Sequence, residues 1–319
     1  MNPSLHPEVA ALLNSVLKAP AEPVAPSVQG MRDGSEALTV LLGGPGEAVA
    51  ATWDSAVETA RGPVPLRWYR PAAAQPDALL IYVHGGGWVA GSLDTHDGLC
   101  RALALRSGFL VMSVGYSLAP EAAFPAALDE VAEILQRAPA LAAAAGFATQ
   151  KLAVAGDSAG AQLLAAALHR MATADAPLPD AAVFIYPVTD ATMRAPSWQT
   201  LADGFHLTAQ RMGWYWAQFL GEELMASGDR LRAPDISPLY SDRLAAFPRS
   251  MVITAEFDLL HGEGIQFAEK LSAQGVAVEH LHVPGQIHGF MRFRKALTDA
   301  QWGPDAVCGR IGEFLNESI

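Results

Sequence analysis

The stretch Lys151–Leu164, KLAVAGDSAGAQLL, decides how the rest of the chain is read. A short apolar run, Leu152 to Ala155, ends in Gly156-Asp157-Ser158-Ala159-Gly160, and an Ala/Leu pattern of helical spacing follows. This is a G-x-S-x-G turn with a strand before it and a helix after it, the setting in which that motif carries chemistry. Ser158 must stand on a tight strand-to-helix turn for its hydroxyl to project from the sheet edge. Such a turn strains the backbone and brings neighbouring chain close, and Gly156 and Gly160 remove the side chains that would obstruct the approach. Asp157 points away from Ser158 and is expected to tie the turn to a neighbouring loop. An ordinary glycine-rich turn is the bland alternative, and the flanking strand and helix weigh against it.

A second site lies upstream. Ala78 to Val83 is an apolar run that ends in His84-Gly85-Gly86-Gly87-Trp88. Three consecutive glycines are a costly way to close a strand, because glycine loses the most conformational freedom on folding. They make sense where backbone N–H groups must point freely at a ligand oxygen, such as the oxyanion of a tetrahedral intermediate. The amide of Ala159, the residue after Ser158, would join them. A phosphate loop is the alternative, but neither G-x-G-x-x-G nor G-x-x-x-x-G-K-[ST] occurs. His84 reads as a residue that pins this loop.

A nucleophilic serine needs a base, and the base needs an orienting acid. Met251 to Ala255 reads as a strand with Glu256-Phe257-Asp258 at its exit. Val276 to Val283 reads as another strand, followed by a loop Pro284-Gly285-Gln286-Ile287-His288-Gly289-Phe290. Loops after parallel strands converge on one face of a sheet. Glu256, two residues before Asp258 and on the same side of the strand, competes for the acid role, as does Asp190 after the strand Ala182 to Tyr186. His280 and His282 form an H-x-H pair, which reads as strand surface rather than as a zinc site lacking its third ligand. Cys100 and Cys308 make no ligand cluster and read as reduced core thiols.

Taken together, five segments resemble the bacterial hormone-sensitive-lipase-like esterases of the α/β-hydrolase superfamily. They are His84-Gly85-Gly86-Gly87-Trp88, Tyr116-Ser117-Leu118-Ala119-Pro120-Glu121, Gly156-Asp157-Ser158-Ala159-Gly160, Ala255-Glu256-Phe257-Asp258 and Ile287-His288-Gly289-Phe290. They fall in the family's order over about residues 60 to 300. The resemblance implies Ser158 as nucleophile, His288 as general base and Asp258 as its partner. It implies an oxyanion hole from the Gly86, Gly87 and Ala159 amides, with Gly85 shaping the loop, and no metal or cofactor. Two departures stand out. Leu259-Leu260-His261-Gly262-Glu263 replaces the family's Pro-Leu-Arg-Asp-Glu, and Ala161 stands where the family often has glycine.

Composition agrees. A chain of 319 residues holds one large α/β core with insertions. No run of 18 or more apolar residues could span a bilayer, and the N-terminus lacks the cationic region of a signal peptide, so a cytoplasmic protein is expected. A net charge of −12 argues against nucleic-acid binding; a homodimer stays open. The expected fold is an α/β-hydrolase, with a mostly parallel central sheet, helices on both faces and a helical cap. An N-terminal helix runs from Pro7 to about Lys18, with an apolar stripe of Val9, Leu12, Leu13, Val16 and Leu17. A Pro/Gly-rich break continues to Gly46, and the sheet begins near Ala48, with Val64 to Trp68 as an early antiparallel strand. Residues 1–46 are read as an N-terminal cap segment and 47–319 as the catalytic domain. A cap insertion at about 190–238 carries Trp198, Phe205, Trp214, Tyr215, Trp216 and Phe219. The expected partner is a small ester of short to medium acyl chain. An amidase, deacetylase or lactonase with the same triad and a non-catalytic receptor on this fold are the alternatives.

Overall fold

Eight strands form one sheet in the order β1-β2-β4-β3-β5-β6-β7-β8 in the computed structural model, which describes residues 4–19, 25–71 and 77–318. They are β1 (Ala51–Thr59), β2 (Gly62–Arg70), β3 (Ala78–Val83), β4 (Leu110–Val114), β5 (Lys151–Asp157), β6 (Ala181–Ile185), β7 (Arg249–Phe257) and β8 (Val278–Ile287). The pairs β1–β2 and β2–β4 are antiparallel, and every later pair is parallel. Burial follows from this order. β3, β4 and β6 are buried at every residue, which is why β3 and β6 read as unbroken apolar runs and β4 is apolar apart from Ser113. The edge strand β1 is mostly exposed and is held to β2 by the Trp53–Trp68 pair, whose rings stack 5.8 Å apart.

Ten α-helices among the described residues complete the fold: α1 (Pro7–Leu13), α2 (Val28–Leu38), α3 (Asp97–Ser107), α4 (Ala126–Ala144), α5 (Ala159–Thr173), α6 (Ser197–Thr200), α7 (Ala209–Leu220), α8 (Glu222–Met225), α9 (His261–Ala273) and α10 (Pro304–Ser318). One core contains side chains of α1, α3 and α10 against one face of the sheet; the other contains those of α4, α5, α7 and α9. Helices on both faces of a mostly parallel sheet match the expected fold class.

Three local expectations need correction. The first helix stops at Leu13, because Asn14 and Ser15 turn their side chains back onto the carbonyls of Ala10 and Ala11 and compete with the helix. Within the Pro/Gly-rich stretch, Val28–Leu38 is helical and Thr39–Gly43 continues as a π-turn, while Pro20 and Pro23 lie outside the described residues. Ser27 caps α2 by accepting from the Gly30 amide. This helix buries no residue fully; Val28, Met31 and Leu38 pack half-buried against the cores. Polar contacts fasten it as well, Arg32 to Glu121 at 2.7 Å and Arg292 to Thr39 at 2.7 Å. Finally, β8 runs through Pro284 and Gly285 to Ile287, residues read as a loop. An edge strand tolerates a proline that lacks a donor, and the irregularity opposite Ala255 and Phe257 absorbs Gly285 at φ +70°. The extension delivers His288 directly from the sheet edge.

Candidate active site

The turn after β5 has the geometry its sequence demands. Ser158 sits at φ +53°, a left-handed conformation that a side-chain-bearing residue adopts only under constraint. Its amide donates to the Ile185 carbonyl at 2.9 Å, which anchors the turn to β6. A methyl group on Gly160 would stand 2.1 Å from the Val83 carbonyl oxygen, so the end of β3 and the start of α5 touch only because glycine is there.

His288 and Asp258 reach this serine from the ends of β8 and β7. His288 Nε2 lies 2.9 Å from Ser158 Oγ, and His288 Nδ1 lies 2.7 Å from Asp258 Oδ2. A carboxylate only accepts, so Nδ1 carries the proton and Nε2 is left to accept from the serine hydroxyl. Asp258 is 1% exposed, and its other oxygen accepts from the Leu260 amide at 2.9 Å. The two competing acids are engaged elsewhere. Glu256 accepts from the Gly285 amide at 2.7 Å, and Asp190 accepts from the Thr192 hydroxyl and amide. Tyr186, which sequence reasoning left unassigned, places its ring 4.7 Å from the imidazole and forms its back wall.

The glycine loop stands opposite. Gly86 and Gly87 have φ of +120° and +61°, and an added Cβ would strike the Ala90 carbonyl at 2.1 Å or the Tyr215 ring at 2.4 Å. The Gly85 amide already donates to Asp157 Oδ1 at 2.8 Å, so it has no proton left for a substrate oxygen. The amides of Gly86, Gly87 and Ala159 donate to no backbone acceptor among the described residues. Asp157 also accepts from Tyr82 Oη at 2.7 Å, tying elbow, β3 and glycine loop together. These hydrogen bonds and the nearby His96 overcome the effect of burial and hold its carboxyl well below the usual range. His84 stacks on Tyr116 at 4.3 Å, its carbonyl accepts from the Tyr116 hydroxyl, and burial pulls its pKa to about 3. It is a neutral strut for the loop.

The insertion after β6 covers this constellation. An inner cavity of about 90 Å³ is lined by Gly86, Gly87, Ser158, His288, Leu207, Met212 and Tyr215, among others. A larger one of about 610 Å³ continues outward past α1 and α2. Of the insertion's aromatics, Tyr215 lines both cavities. Trp216 and Phe219 instead pack on Trp88, each with ring centroids 4.4 Å apart. Trp198 donates to Glu263 at 2.8 Å. Glu263, in the segment that departs from the family pattern, is fully buried, and burial pushes its carboxyl up to about 8 against the pull of the Thr189, Asp190 and Trp198 donors. It fastens the start of the insertion to α9.

No group of three or more His, Cys, Asp or Glu side chains among the described residues is arranged to hold a metal. His280 engages Thr254 at 2.9 Å, and His282 faces His261. Cys100 and Cys308 are buried free thiols. Among the described residues no helix is long and apolar enough to cross a membrane.

A sheet with this order, a strained serine after its central strand β5, and Asp and His side chains delivered from the parallel strands β7 and β8 define an α/β-hydrolase. The α/β-hydrolase fold model matches residues 80–292, and the chain belongs to that family, among its hormone-sensitive-lipase-like esterases. It is 36% identical to the ethyl acetate hydrolase of Pseudomonas putida, over 98% of this chain and 100% of that protein. It is 34% identical to the carboxylic ester hydrolase LipN of Mycobacterium tuberculosis, over 80% of this chain and 68% of that one. Among solved structures, the hyperthermophilic esterase of Pyrobaculum calidifontis superposes with a TM-score of 0.88 at 29% identity, covering 98% of each chain.

Proposed function

We propose that the protein is a carboxylic-ester hydrolase that works through an acyl-enzyme on Ser158. The observation that carries this reading is the continuous alignment of Ser158 Oγ, His288 and Asp258, at 2.9 and 2.7 Å. His288 Nε2 takes the serine proton as Oγ attacks the ester carbonyl, and Asp258 stabilises the imidazolium that forms. The carbonyl oxygen gains negative charge beside the Gly86, Gly87 and Ala159 amides, each donor contributing about 3 kcal/mol to the transition state. His288 returns the proton to the leaving alkoxide. Water, deprotonated by His288, then attacks the acyl group and releases the acid.

Residues 1–46 and the insertion at about 190–238 act as a cap that excludes water, supported by Leu38, Leu207, Met212 and Tyr215 lining the space over Ser158. An inner cavity of about 90 Å³ holds roughly three water-sized groups. One arm of the ester is therefore short, which favours short- to medium-chain substrates. The experiment is labelling with an organophosphate. Wild-type protein should be modified once, at Ser158, and Ser158→Ala should lose ester turnover while keeping its fold. Asp258→Asn, with the imidazole tautomer no longer fixed, should lose about 10⁴-fold in kcat. Full activity in Ser158→Ala refutes the mechanism.

A further inference from the structure

Two arginines face the substrate space and have no counter-ion among the described residues. Arg211, on α7, and Arg292, four residues after His288, both line the inner and the outer cavity. Among the described residues, every other arginine that is at least partly buried stands in an ion pair: Arg32, Arg67, Arg101, Arg137, Arg170, Arg249 and Arg294. Among the described residues, Arg211 and Arg292 have no carboxylate within 4.0 Å. This stands out in a chain with 33 acidic and 21 basic residues, where an anionic partner is easy to supply.

The protein satisfies these guanidinium groups only in part. Among the described residues, Arg211 Nη1 donates to the His206 carbonyl at 3.0 Å and its other nitrogens have no acceptor. Arg292 directs Nη2 at Ser35 and Thr39, while among the described residues its Nε is buried without a partner and Nη1 has no acceptor. Of the described residues lining these cavities, two are acidic. Asp157 accepts from Tyr82 and Gly85, and Asp203 is exposed at the outer mouth. A partly buried, unpaired cation is unfavourable in the free protein, and it is relieved when a ligand brings the missing anion. Guanidinium groups suit a carboxylate in particular, because their planar forks match its two oxygens.

We infer that this pocket is built for esters that themselves carry a carboxylate, which Arg211 and Arg292 bind while the ester carbonyl lies at Ser158. The inference rests on the ester-hydrolase reading above and names its substrate class. Such molecules are half-esters of dicarboxylic acids, with the charge on the acyl arm, or acyl esters of hydroxycarboxylic acids, with the charge on the alcohol arm. The shared chemistry is one carboxylate a few bonds from the scissile carbonyl.

The test compares matched esters with and without the charge. Mono-4-nitrophenyl glutarate against its methyl-capped form probes the acyl arm, and 4-acetoxybenzoate against its methyl ester probes the alcohol arm. On at least one arm the ratio of kcat/KM, charged over capped, should exceed one. Arg211→Gln should lower that ratio about tenfold, the worth of one charge-assisted hydrogen bond. Arg292→Gln should lower it similarly, with partial recovery in Arg292→Lys. Should the Arg292 variants misfold through loss of the Ser35 and Thr39 contacts, Arg211→Gln carries the test alone. Calorimetric binding of the same pairs to Ser158→Ala is independent of turnover. Tighter binding of the charged member supports the inference even if hydrolysis fails, a result that would count against the ester-hydrolase reading instead. Preference for the capped member on both arms, or a ratio unmoved by Arg211→Gln, overturns it.

Discussion

Replacing Gly160 by alanine tests whether the elbow positions Ser158 through backbone contact. The new Cβ would lie 2.1 Å from the Val83 oxygen and 2.5 Å from the His84 oxygen. A carbon–oxygen contact settles at about 3.3 Å, so the gap must open by roughly 1.2 Å. Both obstacles are main chain, so no rotamer change relieves them. Either α5 retreats and carries Ser158 with it, or the end of β3 retreats and carries Gly86 and Gly87 away. The serine and the oxyanion donors separate by about an ångström in both cases. Misplacement on that scale costs about 10²-fold in rate, or about 2.7 kcal/mol of transition-state stabilisation. Overpacking adds a stability loss of about 1–3 kcal/mol. The control is Gly309→Ala in α10, where nothing lies within 4 Å of the added methyl group. It should gain about 0.8–1 kcal/mol of helix stability and leave kcat/KM alone. Measurement of kcat/KM and Tm for both variants decides the matter. A folded Gly160→Ala enzyme with native kcat/KM refutes the positional reasoning, whatever its Tm.

Two other outcomes are expected. Burial holds folded His84 at about 3 against an ordinary 6.5, so between those values the unfolded chain binds a proton that the native state does not. Stability should therefore be full above about pH 6.5 and fall as pH drops toward 3. The depressed carboxyl of Asp157 adds a further loss below the ordinary carboxylate range, which Asp157→Asn should remove. Urea midpoints measured from pH 2.5 to 8, with Asp157→Asn compared below pH 4, check this, and a flat profile below pH 6.5 contradicts it. As for chain length, each methylene adds about 0.8 kcal/mol of binding only while there is room, so kcat/KM for 4-nitrophenyl esters should peak between acetate and octanoate and fall by palmitate. Tyr215→Ala, by enlarging the inner cavity, should move that peak to longer chains, and a wild-type preference for palmitate would contradict the capped-pocket reading.

The parts of this molecule legible in its sequence are those where a local constraint forces a residue type. Gly156, Gly160, Gly86 and Gly87 each stand where a Cβ would meet neighbouring atoms at under 3 Å, so close approach leaves a mark that can be read without coordinates. The runs in β3 and β6 are legible for a similar reason, since burial on both faces permits no polar residue. α2 escapes because its apolar stripe, Val28, Met31 and Leu38, is only partly buried and lies in a segment crowded with Pro26, Gly30 and Gly34, which reads as a break. Part of its fastening comes from Arg292, more than 250 residues away in sequence, and leaves no local mark.

The same distinction explains the uneven reading of the active site. Ser158, Asp258 and His288 lie at the exits of three parallel strands, and sheet order carries them to one edge whatever the intervening chain does. Pocket specificity has no such guarantee. Tyr215 and Trp216 are adjacent in sequence, yet a helix turns about 100° per residue, so one faces the substrate space while the other packs on Trp88. The pairing of Arg211 with Arg292 depends likewise on how far the insertion folds down over β8, a tertiary fact that neither segment encodes alone. What the arginines have in common, seen only when the chain is folded, is that neither one makes an ion pair among the described residues. Catalytic chemistry here is written into strand exits, whereas substrate choice is written into the approach of segments that have no local reason to meet.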